Sequence, residues 1–175
     1  TVNLNRSLQQ LLNPPSKEKD ELQSAGRIIR EGDKVMQIKN NYDIVWTKGK
    51  TTSSGIFNGD IGIVQTVNHN SRFMKIQFDD ITALYPFENA KELEHAYAVT
   101  VHKSQGCEFE AVIMPVCGVV EQLKYRNLLY TAVTRAKSLM IIVGSKNELF
   151  SMVANDRRTR RYTALKHFLT KDVEN

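Results

Sequence analysis

The sequence predicts an α/β fold in which a parallel sheet carries an inserted small β-barrel. Short apolar runs at 96–101, 111–116 and 139–143 are continuous rather than alternating, the texture of strands buried on both faces. Helical patterns stand between and after the last two of these runs, at 122–136 and 146–153. Between 33 and 86, by contrast, short runs follow one another with turn signals between them, which suits a small all-β unit.

Taken in order, 5–12 reads as a short helix with Leu4, Leu8, Leu11 and Leu12 on one face, ended by Asn13-Pro14-Pro15. The charged stretch 16–26 reads as a mobile surface loop. Residues 33–38 (DKVMQI) form a strand after the Glu31-Gly32 turn, Asn40-Asn41-Tyr42 breaks it, and 44–46 is a short second strand. Residues 48–55 (KGKTTSSG) have loop composition, and Asn58-Gly59-Asp60 is a turn signal. Strands follow at 61–67 and 72–78. In the second of these Met74, Ile76 and Phe78 alternate with Phe73, Lys75 and Gln77, the period of a half-buried sheet. Asp79-Asp80 turns the chain into a strand at 81–85, and 87–93 reads as a helical turn. Gly144 closes the run at 139–143. Residues 155–161 are strongly basic, and 162–169 reads as a final amphipathic helix.

At 175 residues the chain has the size of one ordinary domain, with room for a small insertion. A chain of that size buries roughly 70% of its unfolded surface, so its core needs no disulfide or metal. Cys107 and Cys117 have no CxxC spacing and read as reduced cytosolic thiols. No apolar run approaches the roughly 20 residues of a membrane span, and the polar start TVNLNRSLQQ has no signal-peptide pattern. A cytoplasmic protein without a membrane partner is expected. The opening on Thr1 rather than Met suggests an excised fragment. The net charge of +5 suits a polyanionic partner.

Chemistry concentrates in two strings, AYAVTVHKSQGCE at 96–108 and LLYTAVTRAK at 128–137. The first reads as a strand running into a loop, and open α/β sheets bind ligands at the carboxyl ends of their strands. Thr100, His102 and Lys103 offer donors to nucleic-acid phosphates. Gly106 allows close backbone approach to a phosphate or sugar, Gln105 offers an amide, and Glu108 a carboxylate suited to a ribose hydroxyl. In the second string Arg135 stands near the end of the expected helix. It reads as a finger toward a transferring phosphoryl group, against the plain alternative of a cation at a helix C-terminus. A P-loop, GxxxxGK[ST], is missing from the sequence. Gly49-Lys50-Thr51 ends like one, but no glycine stands five residues earlier. No strand ends in a DE carboxylate pair. The chain therefore lacks the Lys and Asp that would hold phosphates and Mg2+, and is expected to be inactive alone. His69, His95 and His167 read as surface or boundary residues. Lys39, Lys48, Lys50 and the 157–161 run read as solvated faces, and Trp46 and Tyr42 as core or rim of the barrel.

The two strings resemble motifs V and VI of superfamily 1 helicases. With LNRSLQQLLNPP, GDKVMQIKNNYD and FNGDIGIV they resemble, in family order, the C-terminal motor region of RecD-like helicases of the exodeoxyribonuclease V alpha-subunit type. The step Cys107-Glu108-Phe109 points to that branch rather than to Pif1-type or relaxase-type helicases, although Cys107 stands where serine is common. The resemblance implies a RecA-like, P-loop NTPase-type domain (2A) at 1–32 and 87–175, lacking its own P-loop. An SH3-like barrel (2B) would be inserted at 33–86. It implies ATP-dependent unwinding with 5′ to 3′ movement on single-stranded DNA, ATP and Mg2+ as cofactors, and Mg2+ ligands in an N-terminal RecA-like domain of the parent. Other subunits of a nuclease complex are further partners it allows. Gln105, Gly106, Glu108 and Arg135 would contact the nucleotide, and Thr100, His102 and Lys103 the DNA. The alternative is a non-catalytic nucleic-acid-binding module with a degenerate RecA-like domain.

Overall fold

The computed structural model describes residues 1–156; the basic run at 157–161 and the helix expected at 162–169 lie outside the described residues. The chain forms two compact units, one of Thr1–Glu108 and a second that begins at Phe109.

The first unit opens with helix α1 (Val2–Leu12). Straight-chain residues favour the helix, and Asn13 ends it because a residue before proline avoids helical backbone. The expected apolar face is not the buried one. Leu4, Leu11 and Leu12 are exposed, while Asn5, Gln9 and Asn13 are buried. These three polar residues are spaced by four, so they share one side of the helix, and each finds a hydrogen-bond partner there. Burial of polar groups costs little when they are satisfied.

The stretch 16–26 is not a plain loop. It contains β1 (Glu21–Ser24), which pairs with β2 (Arg27–Arg30) across Ala25-Gly26. Both turn residues have positive φ, 48° and 73°, the two-residue hairpin turn whose twist matches antiparallel strands. Ala at the first position carries none of the usual turn signal.

Seven further strands form one antiparallel sheet. They are β3 (Lys34–Gln37), β4 (Asn41–Lys48), β5 (Thr51–Ile56), β6 (Ile61–Asn68), β7 (Phe73–Phe78), β8 (Ile81–Pro86) and β9 (Leu93–His95), in the order β5-β4-β8-β7-β6-β3-β9. β5 occupies residues expected to be loop. Thr51, Thr52, Ser53 and Ser54 are all exposed, so an edge strand wet on both sides shows no alternation. The alternation in β7 is as expected, with Met74, Ile76 and Phe78 buried. Together with Val35, Ile44, Ile56, Val64, Tyr85 and Leu93 they form the core. Phe87–Glu92 is a 3-10 turn, matching the helical turn expected there.

The strand expected at 96–101 does not form. Ala96 N–H still donates to Lys34 O, which extends the β3 edge by one residue. Beyond it, side chains rather than a neighbouring strand take up the backbone, and 101–106 coils through consecutive turns.

In the second unit, β10 (Phe109–Val116) and β11 (Ala136–Gly144) pair in parallel, joined through α2 (Arg126–Val133) and followed by α3 (Lys146–Ala154). Parallel pairing among the described residues is confined to these two strands, and the protein is an α/β fold whose larger sheet is antiparallel. The strands read as fully buried are not. Ile113, Leu139 and Val143 are exposed, and of β10 only Val116 is buried. Among the described residues, α2 and α3 leave much of this strand pair exposed. The chain passes closely at one point: a Cβ on Gly144 would lie 2.0 Å from Val116 O. No helix of the described residues is long and apolar enough to cross a membrane.

Candidate functional site

The string at 100–108 lies at the end of the first unit, after β9 rather than after a long buried strand. Its stem is held at consecutive residues. Ala96 bonds to Lys34 as above. The Tyr97 hydroxyl donates to Asp33 Oδ1 at 2.8 Å. Ala98 is gripped on both sides by Asn5, whose Nδ2 donates to Ala98 O at 2.8 Å and whose Oδ1 accepts from Ala98 N–H at 2.7 Å.

Asp33 is the hub beneath this stem. It is fully buried and accepts from Gln9 Nε2 at 2.6 Å, Asn13 Nδ2 at 2.7 Å and Arg30 N–H at 2.8 Å. His95 Nε2 lies 3.3 Å from its Oδ2, with only 10% of the His95 side chain exposed. His95 is half-buried, a boundary residue as expected. Burial by itself raises the Asp33 carboxyl, but hydrogen bonds from His95, Asn13, Arg30 and Tyr97 outweigh it and hold the group below its usual range. The Tyr97 hydroxyl is pushed up to about 12, first by burial and then by the Asp33 carboxylate.

From this stem the loop presents most of its polar residues outward. Thr100, His102, Lys103, Gln105, Gly106 and Glu108 are exposed, and Ser104 is buried. Ser104 closes the first turn, since its N–H donates to Thr100 O and its hydroxyl to Val101 O. Cys107 N–H donates to Ser104 O, and its thiol lies 3.8 Å from Gly59 O. Thr100 Oγ1 accepts from Lys103 N–H at 3.2 Å. Lys103 Nζ is 2.6 Å from Glu94, which also pairs with Arg27 at 3.5 Å. Gly106 has φ +89°, and nothing lies within 4 Å of where its Cβ would be. Its positive φ favours glycine, and among the described residues that face is open.

Arg135 belongs to the second unit. Helix α2 ends at Val133, so Arg135 sits in the turn that follows it rather than in the helix. Its Nε donates to Thr131 O at 3.2 Å and its Nη2 to Thr134 Oγ1 at 3.3 Å. Thr131 O is one of the carbonyls a helix end leaves unpaired. Arg135 O accepts from Phe109 N–H at 2.8 Å, which fixes this turn to the start of β10. Among the described residues there is no group of three or more His, Cys, Asp or Glu arranged to hold a metal.

The buried partners of the stem, Asn5, Gln9, Asn13 and Asp33, did not stand out in the sequence as site-forming residues. The one available signal was the four-residue spacing of Asn5, Gln9 and Asn13 in LNRSLQQLLN.

Residues 95–143 match the family model for the UvrD-like helicase C-terminal domain. Residues 4–78 match that for the ATP-dependent RecD-like DNA helicase SH3 domain. The first match defines the class, a helicase C-terminal region. The second defines the branch: the chain belongs to the RecD-like helicases of superfamily 1. It is 32% identical over 162 residues to an ATP-dependent RecD2 DNA helicase of Deinococcus radiodurans, covering 93% of this chain and 20% of that protein. It is 31% identical over 111 residues to the RecBCD enzyme subunit RecD of Mycolicibacterium smegmatis, covering 63% of this chain and 19% of that subunit. An uncharacterized protein of Methanocaldococcus jannaschii is 36% identical over 126 residues, covering 63% of this chain and 10% of that protein. The chain thus spans 10% to 20% of the length of these relatives. A Pif1 helicase from Bacteroides overlaps 89% of this chain and 38% of its own at a TM-score of 0.40 and 18% identity.

Proposed function

We propose that this chain is the C-terminal part of an ATP-dependent DNA helicase and supplies half of its nucleotide site and part of its single-strand track. The observation that carries the reading is the loop 100–108. It turns Thr100, His102, Gln105, Gly106 and Glu108 outward while Ser104 anchors it from within. Exposed donors clustered on a rigid stem suit phosphate contacts, and an open glycine beside an amide and a carboxylate suits a nucleotide edge. In this reading 1–32 and 87–175 form the RecA-like domain 2A, and 33–86 the SH3-like barrel 2B.

The residues present fit ATP only at its edge, because no P-loop lysine or Mg2+-holding carboxylate accompanies them. When bound, ATP supplies the free energy for movement along the strand. Gln105, Gly106 and Glu108 would hold its edge, and Arg135 would stabilise charge on the transferring phosphoryl group. An arginine in that role is worth about 10³ to 10⁵ in rate. Thr100, His102 and Lys103 hold the DNA backbone. The remaining machinery, with the Mg2+ ligands, belongs to an N-terminal RecA-like domain of the same parent. Movement is 5′ to 3′, by family resemblance, with other subunits of a nuclease complex as further partners.

The test is ATP hydrolysis by the complete parent, with and without single-stranded DNA, for wild type and Arg135→Ala. DNA-stimulated turnover that vanishes in the variant, with strand binding retained, supports a motor with its finger at Arg135. Equal loss of turnover and strand binding sinks the finger assignment. No turnover in wild type favours the alternative, a nucleic-acid-binding module without catalysis.

A further inference from the structure

We infer that Asn5 is a positioning residue for the DNA-facing half of the 100–108 loop, a role that rests on the motor reading above. Asn5 is 93 residues from Ala98 in sequence, and its carboxamide makes both bonds that a neighbouring strand would otherwise give that residue. It is 7% exposed, so the pair is shielded from competing water. Ala98 lies two residues before Thr100. Ala96 and Tyr97 are tied one bond each, to Lys34 O and Asp33, and Asn5 is the last of these holds before the loop.

The two halves of the loop are held differently. The half that follows Ser104 has its own ties, through Cys107 N–H to Ser104 O and the Cys107 thiol near Gly59 O. The half at 99–103 leads directly out of the Asn5 clamp. Its other ties run within the loop, from Lys103 N–H to Thr100 Oγ1, from Ser104 N–H to Thr100 O, from the Ser104 hydroxyl to Val101 O and from Gln105 N–H to His102 O, or are ionic, from Lys103 Nζ to Glu94. Loss of Asn5 therefore shifts Thr100 and His102 more than Gln105 and Glu108. A displacement on the order of 1 Å at such a distance from the chemistry is enough to lower a rate by about a hundredfold.

The experiment uses the complete helicase with Asn5→Ala, and Asn5→Asp as an isosteric second variant. Asn5→Asp keeps the acceptor for Ala98 N–H and sets a carboxylate against Ala98 O. Turnover is measured with and without single-stranded DNA, together with KM for ATP and Tm. The expected result is DNA-stimulated turnover lower by on the order of tenfold or more, with DNA-free turnover and KM for ATP within about twofold of wild type. Unchanged stimulation in a folded variant overturns the inference, and so does a parallel fall of both rates with Tm. Failure of both variants to fold makes Asn5 a support of the fold and also overturns it. If wild type itself shows no DNA-stimulated turnover, the motor reading fails first and this inference with it.

Discussion

The Tyr97 hydroxyl donates to Oδ1 of Asp33 at 2.8 Å, across 64 residues of sequence. Through that carboxylate the stem of the 100–108 loop is joined to α1, by Gln9 and Asn13, and to β2, by the Arg30 amide. The substitution Asp33→Ala leaves these buried donors without an acceptor. It is expected to lower the unfolding free energy by about 3 kcal/mol, read by urea denaturation followed by circular dichroism. A loss under about 1 kcal/mol would show that water satisfies the donors and that the hub matters little.

The same carboxylate sets an acid limit. Burial opposes its ionisation, but the hydrogen bonds win and the folded carboxyl lies below its ordinary value. A folded value below the unfolded one means that ionised Asp33 stabilises the fold fully above the unfolded value near pH 4. That contribution declines as pH falls toward the folded value. Tm measured from pH 6 down to pH 3 is expected to drop below about pH 4, with a shallower drop in Asp33→Asn. Parallel acid limbs for the two proteins would assign the sensitivity to other carboxylates.

Lys103 is paired with Glu94 and exposed, so a DNA phosphate would compete with a carboxylate for it. If Lys103 neutralises one phosphate of a single strand, Lys103→Ala lowers the slope of log Kobs against log salt by about 0.7. Glu94→Gln is expected to tighten binding instead, because the competitor is removed. Fluorescence anisotropy across a salt series separates the two effects, and an unchanged slope in Lys103→Ala would remove that lysine from the track.

Two glycines are required for different reasons. A Cβ on Gly62 would lie 2.8 Å from Gln77 O and from the side chains of Ile76 and Phe78. Gly62→Ala is expected to cost about 2 kcal/mol through overpacking of the β6–β7 pair. Gly106 has open space and only a positive φ to satisfy, so Gly106→Ala is expected to cost about 1 kcal/mol. Thermal denaturation ranks the pair, and a larger loss at Gly106 would contradict the geometry.

Local signals were legible where a single element decides its own structure. The end of α1 follows from Pro14 and Pro15, although the helix begins at Val2 rather than at residue 5, and β7 follows from the alternation of Met74, Ile76 and Phe78. The turn at Asn58-Gly59 followed from its residue types. The candidate site was legible as a string, HKSQGCE, but not as a geometry. The β-branched residues around it suggested a strand, whereas the carboxamide of Asn5 takes the place of a strand neighbour at Ala98. Arg135 was legible as a residue near a helix end, while its bonds back to Thr131 and Thr134 were not.

The sequence by itself determined the family, the punctuation of the sheet by glycine and asparagine turns, and which polar residues stand on the 100–108 loop. Those properties depend on residue order over a few positions. Tertiary structure alone decided which side of α1 is buried, because Asn5, Gln9 and Asn13 go inward only where Ala98 and Asp33 are present to satisfy them. It also decided that 51–54 form an edge strand and that 21–24 pair with 27–30. Hydrogen bonds between distant residues leave no periodic trace in either partner, so they become visible only once the chain has folded.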